Sequence, residues 1–218
     1  MPAKTGKRRH LLQSKEQAKR RLGPARSSYT VMEGRLKGRD PVVLKRSKSA
    51  TGFGYWGRRA IKGQVEGYKW VQSSANVPTP KHVFSFIDLK GRAVHVQEKV
   101  LPLVSAQSGK GRAVNRAALV RLAPKIVRAL HESYPPRGGE EKLHLRGNVS
   151  GWGFRAPEEL VLLDTGSGSR GFVGEVRVFL KSVRKAAPKS FPAVKKAALV
   201  ELYRILGEEE ARKAVKGV

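Results

Sequence analysis

The sequence predicts an α+β (or α/β) fold: one small domain of mixed sheet and helix, preceded by a basic, largely extended N-terminal arm. Three observations predict it. Residues 83–89 form a β-rich run that turns at Lys90-Gly91 into residues 93–96, as a hairpin does. Two stretches, from Asn115 to about His131 and from Ser190 to Gly207, repeat apolar residues at helical spacing. No sustained heptads and no long-period repeat compete with this reading.

Taken in chain order, the first fifty residues are the arm and residues 51–218 the globular domain. Within the arm, Lys4, Lys7, Arg8, Arg9, Lys15, Lys19, Arg20 and Arg21 come before any apolar periodicity. Leu11 and Leu12 are the only neighbouring large aliphatics among them, which suits a segment that orders on a polyanion. The hairpin follows, and Leu101-Pro102 ends it. Asn115 can cap the first helix, whose apolar side is Leu119, Leu122, Ile126, Val127 and Leu130. Pro124 inside it predicts a kink or a restart, because proline removes one backbone donor. Residues 134–139, Tyr-Pro-Pro-Arg-Gly-Gly, are a break.

Residues 143–145 alternate like a strand, and 158–163 fit either a first helical turn or a strand. Residues 172–183 are equally open, since Val176, Val178 and Leu180 fit period two while Phe172, Val176, Phe179 and Val183 fit a helix. Ser190 and Pro192 start the next helix, which Gly207 stops. Glu208–Glu210 then open a last short helix, with Arg212, Lys213 and Lys216 at the end the helix dipole favours for cations.

Charge narrows the function classes. The chain has 218 residues, with 45 Lys and Arg against 17 Asp and Glu, for a formal net charge of +28. Of these, 15 basic and 3 acidic residues lie in positions 1–50, so the excess is concentrated in the arm without being confined to it. There is no cysteine, which excludes disulfide scaffolds, zinc ribbons, iron–sulfur sites and thiol nucleophiles. No apolar run approaches the ~20 residues that span a bilayer. No membrane partner is expected, because the arm lacks bulky apolar anchors on a basic helix. An intracellular setting, cytoplasmic or organellar, follows. An Arg-rich, Ser-containing N-terminus also suits a mitochondrial targeting peptide, although Glu16 and Glu33 interrupt it.

The polyanion this charge implies is RNA, bound through phosphates by the arm and by Gly-rich basic loops. The Gly109-Lys110-Gly111-Arg112 loop supplies Lys110 and Arg112, and it lacks the upstream glycine and the hydroxyl residue of a Walker loop. Arg116, Arg121, Lys125 and Arg128 form a basic stripe along the first helix, with Glu132 as the acidic residue nearby. Two Gly-aromatic-Arg clusters offer Tyr55, Trp56, Arg58 and Arg59, and Trp152 and Arg155, for stacking on bases and reaching phosphates. The opposing reading makes Trp56 and Trp152 core anchors at glycine-rich corners.

In composition and layout the chain looks like a structural component of a ribonucleoprotein particle, ribosomal or organellar-ribosomal in type, whose partners are RNA and the other proteins of that particle. A viral coat or nucleocapsid protein packaging RNA is the alternative, since a basic arm before a shell domain uses the same physics. Neither reading makes the chain an enzyme. No metal or cofactor is expected, because His10, His82, His95, His131 and His144 are scattered without ligand spacing.

One short motif points elsewhere. Leu162-Leu163-Asp164-Thr165-Gly166-Ser167 resembles the aspartic-peptidase signature, in which an Asp-Thr-Gly loop follows an apolar strand. Ile205-Leu206-Gly207 is similar to that family's later apolar-apolar-Gly element. The resemblance covers under ten residues and implies a homodimer with Asp164 as the catalytic group.

Overall fold

The protein is described here as a computed structural model. It describes residues 29–36, 41–50, 62, 65–66, 69, 73, 77–104, 114–134, 144–155, 158–163 and 170–218. The chain divides into two compact units, the first built from residues 1–67, 80–99 and 105–111, the second from 68–79, 100–104 and 112–218. Both sheets are antiparallel and the chain also carries helices, which makes the fold α+β.

The first unit is a four-stranded antiparallel sheet of β1 (Tyr29–Arg35), β2 (Pro41–Ser47), β3 (His82–Ile87) and β4 (Ala93–Glu98), in the order β1-β2-β4-β3. Leu44 of β2 pairs with Met32 of β1 and with Val96 of β4, and Val96 in turn pairs with Phe84 of β3. Because strand side chains alternate, this register puts Val42, Leu44, Val94 and Val96 in one apolar cluster with Met32, Phe84 and Phe86. The opposite face of the same strands carries Val43, Lys45, Ser85, His95 and Gln97. Residues Lys62, Val65 and Glu66 of this unit are helical.

The β3–β4 turn is built by Asp88, whose Oδ1 accepts from the Lys90 and Arg92 amides at 2.9 and 3.0 Å. Gly91 takes the positive φ of 69° that an L side chain would resist. Burial on its own would raise the Asp88 pKa, but the Arg92 and Lys90 amides and the Arg92 guanidinium together hold it below the usual carboxylate value.

The second unit holds a small sheet, β5 (Leu101–Pro102), β6 (Trp152–Arg155) and β7 (Glu159–Leu162), in that spatial order. Around it lie α1 (Arg116–Glu132), α2 (Gly171–Ala186), α3 (Phe191–Leu206) and α4 (Glu208–Ala214). Leu119, Leu122, Ile126 and Leu130 of α1 meet Phe179, Leu180 and Val183 of α2 and Val194, Ala198 and Leu202 of α3 in one buried core. Each of these side chains except Ala198 stabilises by ~1.5–3 kcal/mol through the apolar surface it removes from water.

Asn115 caps α1 as predicted, its Oδ1 accepting from the Ala118 amide at 3.1 Å. Pro124 does not break this helix, which runs unbroken from 116 to 132. The donor lost at Pro124 is outweighed by Leu122, Ala123, Ile126 and Val127, all buried around it. Of the segments the sequence left open, 159–162 is a strand and 171–186 a helix. Residues 29–35 and 41–47, assigned from sequence to the basic arm, are paired antiparallel strands, and the second contributes Val42 and Leu44 to the sheet's apolar cluster. The basic residues Lys4 to Arg21 of that arm lie outside the described residues.

Candidate functional site

Residues 144–151 of the second unit lead into β6. Four interactions pin its backbone. The Leu145 amide donates to Ser133 Oγ at 3.1 Å, and that hydroxyl donates to the Leu130 carbonyl at 2.8 Å. The Gly147 amide donates to the carboxylate of Glu175 on α2 at 2.8 Å. The Val149 amide donates to Ser182 Oγ, also on α2, at 3.0 Å. The Trp152 indole N–H donates to the Arg146 carbonyl at 3.2 Å.

The result alternates along the chain. Leu145, Gly147 and Val149 are buried, and His144, Arg146, Asn148 and Ser150 are exposed. A rigid inner row therefore presents an outer row of polar side chains, the usual way a loop carries function on a fixed scaffold. At Gly147 no other residue fits, because a Cβ there would lie 1.8 Å from the Glu175 carbonyl oxygen. The His144 ring stacks on Tyr134 at a centroid distance of 4.3 Å. Burial, and secondarily the Glu175 charge, push the Tyr134 hydroxyl up to about 12, so it stays protonated.

In the first unit the chemistry-bearing positions lie on the polar face of the sheet. Lys45 of β2 is paired in register with His95 of β4. His95 is 1% exposed, and its Nδ1 lies 2.8 Å from the Ser85 hydroxyl, itself 2.8 Å from His82 Nε2. Burial first, then the charges of His82 and Lys45, lower the His95 pKa to about 4, so the ring is neutral near pH 7. Glu66 has Lys62 within 3.7 Å.

Several residues predicted to contact RNA have partners within the chain. Arg121 meets Glu158 at 3.2 Å, and Lys125 reaches both the Glu158 carboxylate at 3.9 Å and its carbonyl at 3.1 Å. Arg128 meets Glu201 of α3 at 2.8 Å. Three cations of the stripe on α1 thus share two carboxylates from outside that helix, and Arg116 at its start is exposed. Trp152 is fully buried and Arg155 is held by Glu159 at 2.8 Å and by the Thr79 carbonyl at 3.0 Å, so this Gly-aromatic-Arg cluster is a structural corner. Tyr55, Trp56, Arg58, Arg59, Lys110, Arg112 and Asp164 lie outside the described residues. Among the described residues no three His, Asp or Glu side chains gather to hold a metal ion, and no helix is long and apolar enough to cross a membrane.

Solved structures with this arrangement decide the fold. The pseudokinase domain of BIR2, an immune regulator of the RLK/Pelle family, matches with a TM-score of 0.54 at 11% identity, over 95% of this chain and 84% of that one. The fold is kinase-like. The pseudokinase DRIK1 (drought responsive inactive kinase 1) gives a TM-score of 0.53 at 12% identity, covering 96% of this chain and 88% of the other. An aminoglycoside-3'-phosphotransferase of type VIII gives 0.50 at 17% identity, with 89% and 88% covered. No family profile and no curated protein matches the sequence.

These likenesses correct the functional expectations. A ribonucleoprotein component or a viral coat protein is overturned, because the chain has the architecture of pseudokinases and of a phosphotransferase. The expectation that the chain is not an enzyme falls with it, since the same fold serves an aminoglycoside phosphotransferase. The peptidase reading of Asp164 fails on topology: the residues expected to form a flap and strands before Gly207 form α2 and α3 instead. Sequence reasoning passed over Lys45, Glu66, the 144–151 loop and Glu175. Only Val42-Val43-Leu44-Lys45 carried a local signal, an apolar triplet closing on a lysine.

Proposed function

We propose that this chain is a kinase-like protein that binds a nucleoside triphosphate and transfers its terminal phosphoryl group slowly. The observation that carries the reading is the presence in one kinase-like chain of Lys45 on β2 and Asp164-Thr165-Gly166 just after β7. Protein kinases place a lysine, in V-A-I-K, on a strand of the sheet to hold the α- and β-phosphates, and an Asp, in D-F-G, to hold magnesium. Val42-Val43-Leu44-Lys45 and Asp164-Thr165-Gly166 match those motifs in kind and in chain order. Glu66, the single acidic residue between positions 51 and 80, stands where the lysine's partner on the following helix belongs.

The chain departs from the kinase pattern at three points. In H-R-D-L-x-x-x-N the Asp accepts the substrate's hydroxyl proton and the Asn holds a second magnesium ion. Counting from His144, those positions are Arg146 and Gly151. A guanidinium accepts no proton. A general base contributes about 10²–10⁴-fold, so transfer to a hydroxyl is expected to be slower by that order. The donor set also fails to fit a second metal. Gly151 has no side chain, its amide donates to the Asn148 carbonyl at 2.9 Å, and its carbonyl accepts from the Leu163 amide at 2.8 Å. The third departure is the phosphate-covering loop: the two G-x-G-x-x-G matches in the sequence, residues 52–57 and 166–171, both follow β2 instead of preceding the lysine strand.

Thermal unfolding with and without ATP and magnesium tests the reading. Saturation at about a hundredfold over the dissociation constant stabilises by about 2.7 kcal/mol, or about 5 °C or more for a chain of this length. Lys45→Ala should lose most of that shift, and labelled phosphate should accumulate on an acceptor over hours. No shift with any nucleoside triphosphate would sink the proposal.

A further inference from the structure

We infer that the Ser85 hydroxyl is a phosphoryl acceptor: a nucleotide held by a second copy of the chain transfers its terminal phosphoryl group to Ser85 Oγ, with His82 as the base. This rests on the nucleotide-binding reading above and names the acceptor that reading leaves open.

Residues of the first unit alone carry the argument. β3 is an edge strand of the sheet as described, and its Ser85 pairs in register with His95 of β4. Ser85 Oγ lies 2.8 Å from His82 Nε2 and 2.8 Å from His95 Nδ1, so one hydroxyl sits between two imidazoles. Both distances are within the reach of a nucleophile and its base. The hydroxyls of Ser47, Ser133 and Ser182 instead donate to backbone carbonyls, which take no proton.

Burial decides where the hydrogens of this chain lie. His95 is buried, and that burial, before the charges of His82 and Lys45, lowers its pKa to about 4, so near pH 7 the ring carries one hydrogen. Its Nε2 is buried with no hydrogen-bond partner. An orphaned buried donor is rarer in proteins than an under-satisfied acceptor, which assigns the hydrogen to Nδ1. Nδ1–H therefore donates to Ser85 Oγ, and the serine hydrogen points at His82 Nε2. His82 is exposed, so a proton taken there passes on to water.

The transfer balances. Ser85 Oγ bonds to the γ-phosphorus, the bond from that phosphorus to the β,γ-bridging oxygen breaks, ADP leaves, and the hydroxyl proton goes to His82 Nε2. A base carried by the acceptor matters because the position that takes this proton in a kinase is Arg146 here, and a guanidinium accepts none. Ser85 and Lys45 are fixed on strands two spacings apart in one sheet, about 10 Å. A hydroxyl held that far from the lysine's own strand is served by the nucleotide of another copy.

Incubation of the full chain with γ-labelled ATP and magnesium, followed by peptide mapping, reads the site. Ser85 should carry the label, and the labelling rate per chain should rise in proportion to protein concentration. Ser85→Thr, which keeps a hydroxyl, should still be labelled, whereas in Ser85→Ala the label should be lost. His82→Ala should slow labelling by about a hundredfold or more, the worth of a general base. Free imidazole should restore part of that rate, which it would not do for a folding defect. Label at another residue instead of Ser85, an unchanged rate in His82→Ala, no recovery with imidazole, or a rate per chain independent of concentration would each overturn the inference. So would a wild type that binds ATP and takes no label, and in all these cases nucleotide binding stands. A wild type whose unfolding temperature no nucleoside triphosphate shifts would instead remove the nucleotide reading itself.

Discussion

Gly147 and Glu175 are locked together: the glycine amide donates to the glutamate side chain at 2.8 Å, and the glutamate's own carbonyl oxygen occupies the space a Cβ at 147 would need. One residue on α2 thereby fixes the loop that carries Arg146 through both its side chain and its backbone. Gly147→Ala should therefore cost about 3 kcal/mol, the upper range for forced overpacking, because backbone and not a mobile side chain must move. Glu175→Gln keeps an acceptor and should cost about 1 kcal/mol, the difference between a charged and a neutral hydrogen bond. Urea denaturation midpoints measure both. A Gly147→Ala protein as stable as the wild type would show that the loop and α2 are not coupled in this way.

That coupling was invisible in the sequence, and the reason is general to this molecule. Features set by neighbouring residues were legible: the Asn115 cap, the turn ending at Gly91, the start of α3 at Pro192 and the charge order of α4. Features set by distant residues were not. Arg121, Lys125 and Arg128 read as an unbalanced basic stripe because their carboxylates, Glu158 and Glu201, come from other elements. Trp152 read as a stacking candidate because glycines flank it, yet the core closes over it. Asp164-Thr165-Gly166 resembles a peptidase signature, yet a tripeptide does not specify the helices that follow it.

His95 gives the sheet unit a pH dependence whose sign follows from its burial. Its folded pKa of about 4 lies below the ordinary 6.5, so the unfolded chain binds the extra proton first as pH falls. The neutral ring's contribution is complete above pH 6.5 and is lost progressively down to about pH 4. The shift corresponds to about 3 kcal/mol over that window. In His95→Gln the fall in stability between pH 6.5 and 4 should be smaller by that order, leaving the carboxylate part, including that of Asp88. Asp88 behaves with the same sign at lower pH: its depressed pKa stabilises above the unfolded value, and that contribution is lost as pH falls through the folded one. Equal pH profiles for wild type and His95→Gln would contradict the assignment.

Glu201 ties α1 to α3. It is 3% exposed and meets Arg128 of α1 at 2.8 Å and Arg204 of its own helix at 3.3 Å. Removing Arg128 leaves a buried carboxylate with one weaker partner, so Arg128→Ala should destabilise the fold. By contrast, Glu208 and Arg212 pair in the open on α4, where water screens the attraction. Arg212→Ala should have the smaller effect and lose it in high salt. A double-mutant cycle of Arg128 and Glu201 isolates the contact, and a coupling near zero would show that the two helices associate through apolar packing alone.

Trp152 offers the clearest separation of a core role from a ligand role. Its ring is fully buried in the second unit, and its indole N–H holds the Arg146 carbonyl. Trp152→Phe keeps an aromatic core but removes that hydrogen bond and part of the volume, for a cost of about 2 kcal/mol. With Trp56 and Trp70 changed to Phe, the remaining Trp152 fluorescence should show a buried, blue-shifted emission that single-stranded oligonucleotides fail to quench. An exposed emission, or strong quenching by an oligonucleotide, would mean that this side chain stands on the surface and that the corner around β6 is not the core element described above.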